Sequence, residues 1–445
     1  MIFEPKLETL PRERLQELQT DRLRALVTTV RDRVPLYRER LAGVEPDAIL
    51  TLDDLRLLPF TYKDDLRDAY PLGMLAVPPQ EVARIHASSG TTGKPTIVGY
   101  TRRDLDLFAR VVARALAMAG AEPGMVLHNA YDYGLFTGGL GLHYGAERLG
   151  LTVVPVSGGV TERQLTLVSD LRPDVLACTP SYALTLAQAF ADRGVAPSEI
   201  SLRYAVLGAE PWTEHMRREI DAALGVLSTN LYGLSEVIGP GVSSECVEVR
   251  AGSHVNEDHF LPEIVDAATG APVADGVAGV LVVTTLTKEA LPLVRYWTGD
   301  ICALDRAPCA CGRTLVRMGP IVGRTDDMLI VRGVNVYPTQ VGDVLGRVPE
   351  LSPHFGLVVR RPDTLDEVEV QAEVTEDYFR AIGSDLPSDE SGEADPRLGE
   401  LRDRAASLIR ATIGCTMAVR LVPPGAAPRS EGGKLQRVTD LRQGS

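Results

Sequence analysis

Apolar positions recur along this chain at two periods, and the changes between them mark its elements. Over residues 10–70 they fall at helical spacing and are interrupted by proline, as in DRLRALVTTVRDRVPLYRERL, which predicts short helices around a proline-broken connection. From about residue 84 to 320 helical and strand-like stretches alternate. LDLFARVVARALAMAG (105–120) and SYALTLAQAFADRG (181–194) have amphipathic helical spacing, and TERQLTLVSDL (161–171) is a third such run with Thr161 as its expected N-cap. LTVVPVSG (151–158), DVLACT (174–179) and RYAVLG (203–208) are apolar runs of strand length, and AGVLVVTTL (278–286) adds a β-rich stretch. Short strands alternating with helices predict an α/β fold of layered sheets and helices with parallel strands.

Past about residue 325 the pattern changes. MLIVRGVNVYP, HFGLVVRRPD and EVEVQAEVT are strand-like and RLGELRDRAASLIRATIG (397–414) is helical, which predicts a smaller α+β unit. The expected division is a large N-terminal domain over 1–325 and a small C-terminal one over 326–445. Inside the latter, GSDLPSDESGEADP (383–396) is acidic and rich in Ser, Gly and Pro, the composition of a solvated loop.

Composition narrows the function classes. A net charge of −14 leaves no overall field to hold a nucleic-acid backbone or an anionic membrane. No apolar run approaches the roughly 18–20 residues of a membrane span, and the start MIFEPKLETLPRER lacks the apolar core of a signal peptide. Six unevenly spaced cysteines are not a disulfide framework, so a cytoplasmic protein is expected. Only five of the 46 basic residues are lysines: Lys6, Lys63, Lys94, Lys288 and Lys434. Where arginine carries the surface charge, a retained lysine points to a place that needs a compact ammonium.

The sharpest local motif is Ser88-Ser89-Gly90-Thr91-Thr92-Gly93-Lys94-Pro95. Its glycines let backbone amides turn inward, its hydroxyls add donors and its lysine a point charge, a combination suited to a polyphosphate. It is not a Walker loop, because the spacing is shorter and Pro95 stands where a magnesium-binding Ser or Thr belongs. Tyr232-Gly233-Leu234-Ser235-Glu236, Tyr296-Trp297-Thr298-Gly299-Asp300, Gly323-Arg324-Thr325-Asp326-Asp327 and Lys434 follow in order. Together these blocks resemble the adenylate-forming superfamily. Within it, YGLFTGGLGLHYGAERLG (133–150), GAEPW (208–212), YGLSEVIGPGVSSEC (232–246), EDHFLPEIVD (257–266) and GRTDDMLIVRGVNVYP (323–338) resemble the phenylacetate–CoA ligase type, from about residue 20 to the end.

The resemblance implies a two-step reaction: a carboxylate attacks the α-phosphate of ATP to give an acyl-adenylate and pyrophosphate, and a thiol then displaces AMP. It implies that Lys94 and the loop residues Ser88, Ser89, Gly90, Thr91, Thr92 and Gly93 hold the β- and γ-phosphates, and that Glu236 binds Mg²⁺. Asp300 would accept from the ribose hydroxyls and Arg324 would take the ribose or α-phosphate side, while Gly208, Ala209, Glu210 and Pro211 wall the adenine with Tyr232 stacked on it; Gly233 and Ser235 belong to the same nucleotide turn. Lys434 corresponds to the adenylation lysine carried by a mobile C-terminal lid. Asp326 is the expected hinge, whose rotation replaces Lys434 by Gly333, Val334 and Asn335 along a thiol tunnel. Lys63 matches a family block and is expected in a structural salt bridge; Lys6 and Lys288 have no such place and are expected to be surface charges.

Tyr131, Asp132, Tyr133, Phe136, Gly138 and Gly139 lie in the segment the family uses around an arylacetate or benzoate. Asp132 departs from the expected small residue, and a carboxylate beside an apolar pocket needs a partner. An amino or hydroxyl substituent on the substrate ring would serve, assisted by His128 or Asn129. Cys309-Ala310-Cys311 alone reads as buried, reduced thiols. With Cys246 and His254, which the family brings to the same region, it supplies the three sulfurs and one imidazole of a structural Zn²⁺ site, with Cys302 as the substitute ligand. The leading expectation is thus an aryl-CoA ligase using ATP, Mg²⁺ and CoA. A carrier-protein thiol, an amine or another small nucleophile is the alternative acceptor, and a catalytically silent nucleotide-binding scaffold is a third reading. Dimers are expected by analogy alone.

Overall fold

The computed structural model describes residues 1–88, 95–325, 328–331, 334–361, 367–383, 386, 395–429 and 435–442, with the side chains of Ile330 and Asn335 left aside. Ser89 to Lys94, Asp326, Gly333, Lys434 and most of the acidic stretch 383–396 therefore lie outside the described residues. The chain divides into two compact units. One comprises Met1–Thr179, Val195–Ala209 and Gly225–Pro320, the other Pro180–Gly194, Glu210–Leu224 and Ile321–Ser445.

After a helical turn at Pro5–Glu8, the first unit forms helix α1 (Arg12–Arg33), which buries Leu15, Leu23, Leu26, Val27 and Val30. A hairpin of β1 (Arg84–Ala87) and β2 (Ile97–Tyr100) precedes α2 (Arg102–Met118). Then come β3 (Val126–Asn129), α3 (Gly138–Leu149), β4 (Thr152–Val154), α4 (Thr161–Leu171), β5 (Val175–Cys178), β6 (Tyr204–Gly208), β7 (Leu227–Leu234), β8 (Gly239–Ser244) and β9 (Ser253–Val255). The antiparallel set β10 (Phe260–Val265), β11 (Gly279–Thr285) and β12 (Tyr296–Cys302) follows, with the short β13 (Leu304–Asp305) and β14 (Arg317–Met318). One nine-stranded sheet runs β13-β14-β9-β8-β7-β6-β5-β3-β4. Its members from β4 through β7 pair in parallel, as the alternating pattern predicts, and β8, β9, β14 and β13 complete it antiparallel.

Two local devices set the geometry of this unit. The first is the start of α2, where Asp104 is buried in a reciprocal cap: Thr101 Oγ1 accepts from Asp104 N at 3.1 Å and Asp104 Oδ2 from Thr101 N at 2.9 Å. The same carboxylate accepts from Glu289 N at 2.7 Å and Ala290 N at 2.9 Å, so the cap also pins a distant loop. The second is the α2–α3 contact. A Cβ on Gly145 would stand 2.3 Å from Val112 Cγ1 and one on Gly141 2.5 Å from the Phe108 ring, so only glycine allows the two helices to approach this closely. One N-cap departs from expectation: Thr161 is the first residue of α4, and Val160 caps it in a left-handed conformation at φ 48°.

The second unit holds α5 (Pro180–Asp192), α6 (Glu214–Leu224), a hairpin of β15 (Leu329–Val331) and β16 (Val334–Val336), and α7 (Pro338–Leu345). Its sheet is built from β17 (Leu351–Arg360), β18 (Glu367–Val374), β19 (Ala418–Val422) and β20 (Val438–Asp440), with α8 (Pro396–Ile413) between β18 and β19 in sequence. Leu345, Leu357, Val370, Leu401, Ala405 and Ile409 are among its buried core. Among the described residues no helix is long and apolar enough to cross a membrane.

Candidate active site

The expected site residues of the first unit lie on strands β6, β7 and β12 or just past β1, β3 and β7. Ser88 closes the stem of the phosphate-loop motif: its N–H donates to Thr96 O at 3.0 Å and its Oγ accepts from Thr96 N at 3.3 Å. At the end of β6, a Cβ on Gly208 would lie 2.0 Å from Leu231 O, and Ala209 follows at φ 72°. Only glycine therefore fits at 208, and the strand is followed by a left-handed residue.

Strand β7 delivers the next group. Tyr232 donates its hydroxyl to Asp300 Oδ2 on β12 at 2.6 Å, a short charge-assisted bond between two sheets. Asp300 is buried, and Thr298 Oγ1 receives its backbone N–H at 3.0 Å. Gly233 has no room for a side chain, since a Cβ there would fall 1.9 Å from Gly239 O. Ser235 Oγ lies 3.4 Å from Thr137 Oγ1 at the head of α3, which links this turn to the segment 131–139. The Glu236 carboxylate is buried, and Lys63 Nζ stands 3.9 Å from its Oε1.

Lys288 is not the surface charge expected of it. It is 3% exposed, its Nζ donates to Glu236 O at 3.1 Å, and it lies 4.7 Å from the centroid of the Tyr100 ring. Burial lowers its pKa to about 8, against the opposing pull of Asp104 and Glu236. Sequence reasoning missed this residue because nothing in TTLTKEALP announces burial, although the scarcity of lysine was a usable signal.

The acyl segment is tied to the end of β3. Asn129 Nδ2 donates to Tyr133 Oη at 2.7 Å and to Gly139 O at 2.8 Å, and its Oδ1 accepts from Tyr131 N at 3.3 Å. Tyr133 Oη also stands 3.2 Å from His143 Nδ1, and burial raises its pKa to about 12. Phe136 covers Gly138, where a Cβ would stand 2.6 Å from the ring, and a Cβ on Gly139 would meet Asp132 O at 2.5 Å. Asp132 does not need a substrate partner. Its side chain is exposed and Oδ1 accepts from Gly158 N at 3.1 Å and Ser157 Oγ at 3.4 Å. One ring nitrogen of His128 is likewise taken, its Nε2 2.5 Å from Gln164 Oε1.

In the second unit Glu210 is buried, and its carboxylate accepts from Ser181 N at 2.6 Å and from Leu435 N at 3.3 Å. Pro211 and Arg324 are half-buried, Arg324 on a two-residue strand with Gly323.

Away from these residues, Cys246, His254, Cys309 and Cys311 present ligand atoms all within 4.8 Å of one another. Cys246 Sγ lies 3.7 Å from Cys309 Sγ, and Cys311 Sγ lies 3.4 Å from His254 Nε2. A tetrahedron with Zn–S near 2.3 Å and Zn–N near 2.0–2.1 Å has S–S edges of about 3.8 Å and S–N edges of about 3.5 Å, which these two distances match. His254 Nδ1 stands 3.2 Å from Leu315 O, which fixes the tautomer that leaves Nε2 as a ligand. Hydrogen bonding from Cys246 holds the Cys311 thiol far below its ordinary range, with His254 and Arg313 adding to it. Cys302 lies outside this group.

The chain is similar to known proteins over its whole length. The AMP-binding enzyme family matches residues 6–287, and the AMP-binding enzyme C-terminal domain matches 333–442. A phenylacetate–coenzyme A ligase of Thermus thermophilus is 65% identical over 445 residues, covering 100% of both chains. One from Escherichia coli is 49% identical and covers 99% of each. A crystal structure of 2-hydroxyisobutyryl-CoA ligase with 2-HIB-AMP in the postadenylation state aligns at TM-score 0.90 and 26% identity, over 99% of this chain and 92% of that one. The chain therefore belongs to the AMP-binding, adenylate-forming enzymes, in their phenylacetate–CoA ligase branch.

Proposed function

We propose that this protein activates an aromatic acid of the arylacetate type with ATP and passes the acyl group to CoA. In the first step a carboxylate oxygen bonds to the α-phosphorus and pyrophosphate leaves; in the second the CoA sulfur bonds to the acyl carbon and AMP leaves. The observation that carries this reading is the Tyr232–Asp300 pair at 2.6 Å, followed four residues after Tyr232 by the buried Glu236 carboxylate. A carboxylate can accept several hydrogen bonds, so one from a phenol is compatible with a ribose diol on the same group. A second carboxylate, with the Lys63 ammonium 3.9 Å away, suits a hard cation on a polyphosphate.

In this reading Lys94 and residues 88–93 take the β- and γ-phosphates, Glu236 would hold Mg²⁺, and Arg324 takes the ribose or α-phosphate side. Gly208, Ala209, Glu210 and Pro211 border the adenine. Magnesium would neutralise phosphate charge in the displacement. Lys434, on a lid over 326–445 that pivots at Asp326, neutralises the oxygens of the reacting carboxylate, and Gly333, Val334 and Asn335 line the path of the thiol in the second step. Tyr131, Tyr133 and Phe136 receive the ring. Because Asp132 is satisfied within the chain, an unsubstituted ring is favoured over an amino- or hydroxybenzoate. Supplies of ATP and CoA place the reaction in the cytoplasm. The four donors around Cys246 would hold a structural zinc ion.

Phenylacetate-dependent ATP–pyrophosphate exchange, followed by thioester formation on adding CoA, tests the whole reading. Exchange without a thioester would move the acceptor to another nucleophile; no exchange with any arylacetate or benzoate would remove the activity.

A further inference from the structure

The turn that carries Glu236 is gripped by two side chains from other parts of the first unit. Tyr100, the last residue of β2, donates its hydroxyl to Ile238 O at 3.0 Å and reaches Ser235 O at 3.4 Å. Lys288 donates to the carbonyl between them, Glu236 O, at 3.1 Å. The two are joined, since the ammonium sits 4.7 Å from the Tyr100 ring centroid. Both are buried, and the loop bearing Lys288 is pinned by the Asp104 carboxylate through Glu289 N and Ala290 N. Three carbonyls of one short turn are thus held from outside it, by donors whose hydrogen bonds go to its backbone.

We infer that Lys288 and Tyr100 are positioning residues that hold the 235–238 turn so that the Glu236 carboxylate faces a nucleotide-bound divalent cation. This rests on the reading of Glu236 as the metal carboxylate given above. A buried ammonium is costly to keep, and a leucine or methionine would fill the same space at less cost if packing were its only use. What the ammonium adds is one charge-assisted bond to a backbone carbonyl, which fixes the turn's rotation where a side chain must meet a cation within a few tenths of an ångström.

The test measures binding rather than turnover. Calorimetric titration of the full chain with ATP, with and without Mg²⁺, gives the factor by which the metal tightens binding. In Lys288→Met that factor is expected to fall about tenfold, with metal-free ATP binding unchanged within twofold, because one charge-assisted hydrogen bond on the turn is lost. Tyr100→Phe, which keeps the ring and its packing, is expected to lower the factor in the same direction and serves if the lysine variant does not fold. A merely structural role lowers thermal stability and leaves the metal factor alone, which overturns the inference. Glu236→Gln separates the two claims. If it abolishes the metal factor while Lys288→Met and Tyr100→Phe preserve it, Glu236 keeps its assignment and the positioning pair loses its own. If Glu236→Gln leaves the factor intact, the metal assignment fails first.

Discussion

Cys309→Ser removes one of the four donors around Cys246, and the structure says what should follow. The four ligand atoms lie within 4.8 Å, two of the pairwise distances match a zinc tetrahedron, and a backbone carbonyl orients the imidazole. The knot sits beside Leu15 of α1, Met118 of α2 and Leu315, and its loop runs on to Arg313, whose buried guanidinium meets Glu8 at 2.6 Å. Zinc bound here would therefore stabilise the attachment of the N-terminal segment that carries Glu8 and Leu15. With free zinc at about a thousandfold over its dissociation constant the linkage is about 4 kcal/mol. For a unit of this size that corresponds to a melting-temperature loss on the order of 5–10 °C. The assay is metal content after extensive dialysis, then thermal melts of parent and variant with and without a strong chelator. The parent should hold one zinc per chain and lose stability to the chelator; Cys309→Ser should start at the lower value and ignore it; Cys302→Ser should behave as the parent. Less than about 0.2 zinc per chain in the dialysed parent refutes the site, since structural zinc binds too tightly to be lost.

Lys434→Arg should lower acid-dependent pyrophosphate exchange by at least about a hundredfold, because a planar fork cannot place one charge between two oxygens. Full activity in that variant would make the argument from lysine scarcity a coincidence. Tyr232→Phe should raise the KM for ATP roughly tenfold with kcat nearly kept, as expected for losing one charge-assisted bond that orders Asp300; an unchanged KM in steady-state kinetics would count against Asp300 as a ribose acceptor. A pH dependence follows from His259, which burial holds down to about 3, with Asp258 pulling the other way and Arg114, Arg22 and Arg110 adding to the depression. The unfolded chain takes up that proton below roughly 6.5 while the folded chain refuses it. Stability from this residue is thus full above about 6.5 and drains away down to about 3, a loss of about 2–3 kcal/mol by pH 4.5. Urea midpoints at pH 7 and 4.5 should converge by that amount in His259→Asn; an identical pH dependence in parent and variant would sink the assignment.

Much of the fold was legible because the parallel strands are buried on both faces and so appear as bare apolar runs: β5 and β6 stand where DVLACT and RYAVLG predict them. The site was legible where chemistry demands a residue type at a fixed spacing, as in Tyr232-Gly233-Leu234-Ser235-Glu236. It was illegible where a side chain's role is set by long-range approach. Lys288 is 52 residues from the carbonyl it holds, and Asp104 is 185 from the loop it pins, separations that carry no local pattern. Asp132 shows the opposite failure. Its charge was legible and its environment was not, because the nearby 157–158 turn that satisfies it is set by the register of β3 against β4. The N-cap of α4 was misplaced by one residue for a related reason: propensity favours Thr161, and the chain enters the helix through a left-handed Val160 that propensity disfavours.

The Asn129 amide has a thermodynamic consequence. It binds the Tyr133 hydroxyl, the Gly139 carbonyl and the Tyr131 amide, so the 131–139 segment, proposed to receive the acid, is braced by the chain's own hydrogen bonds. Binding then freezes little backbone, and the entropy that a floppy loop would forfeit stays out of the balance. The heat-capacity change of acid binding should track the ring area removed from water, with no added share from folding of the loop. If this segment receives the ring, as proposed, selectivity among acids would be decided by the fit of a ring to a fixed wall, with a bulkier ring rejected by collision and a smaller one held less tightly without being excluded.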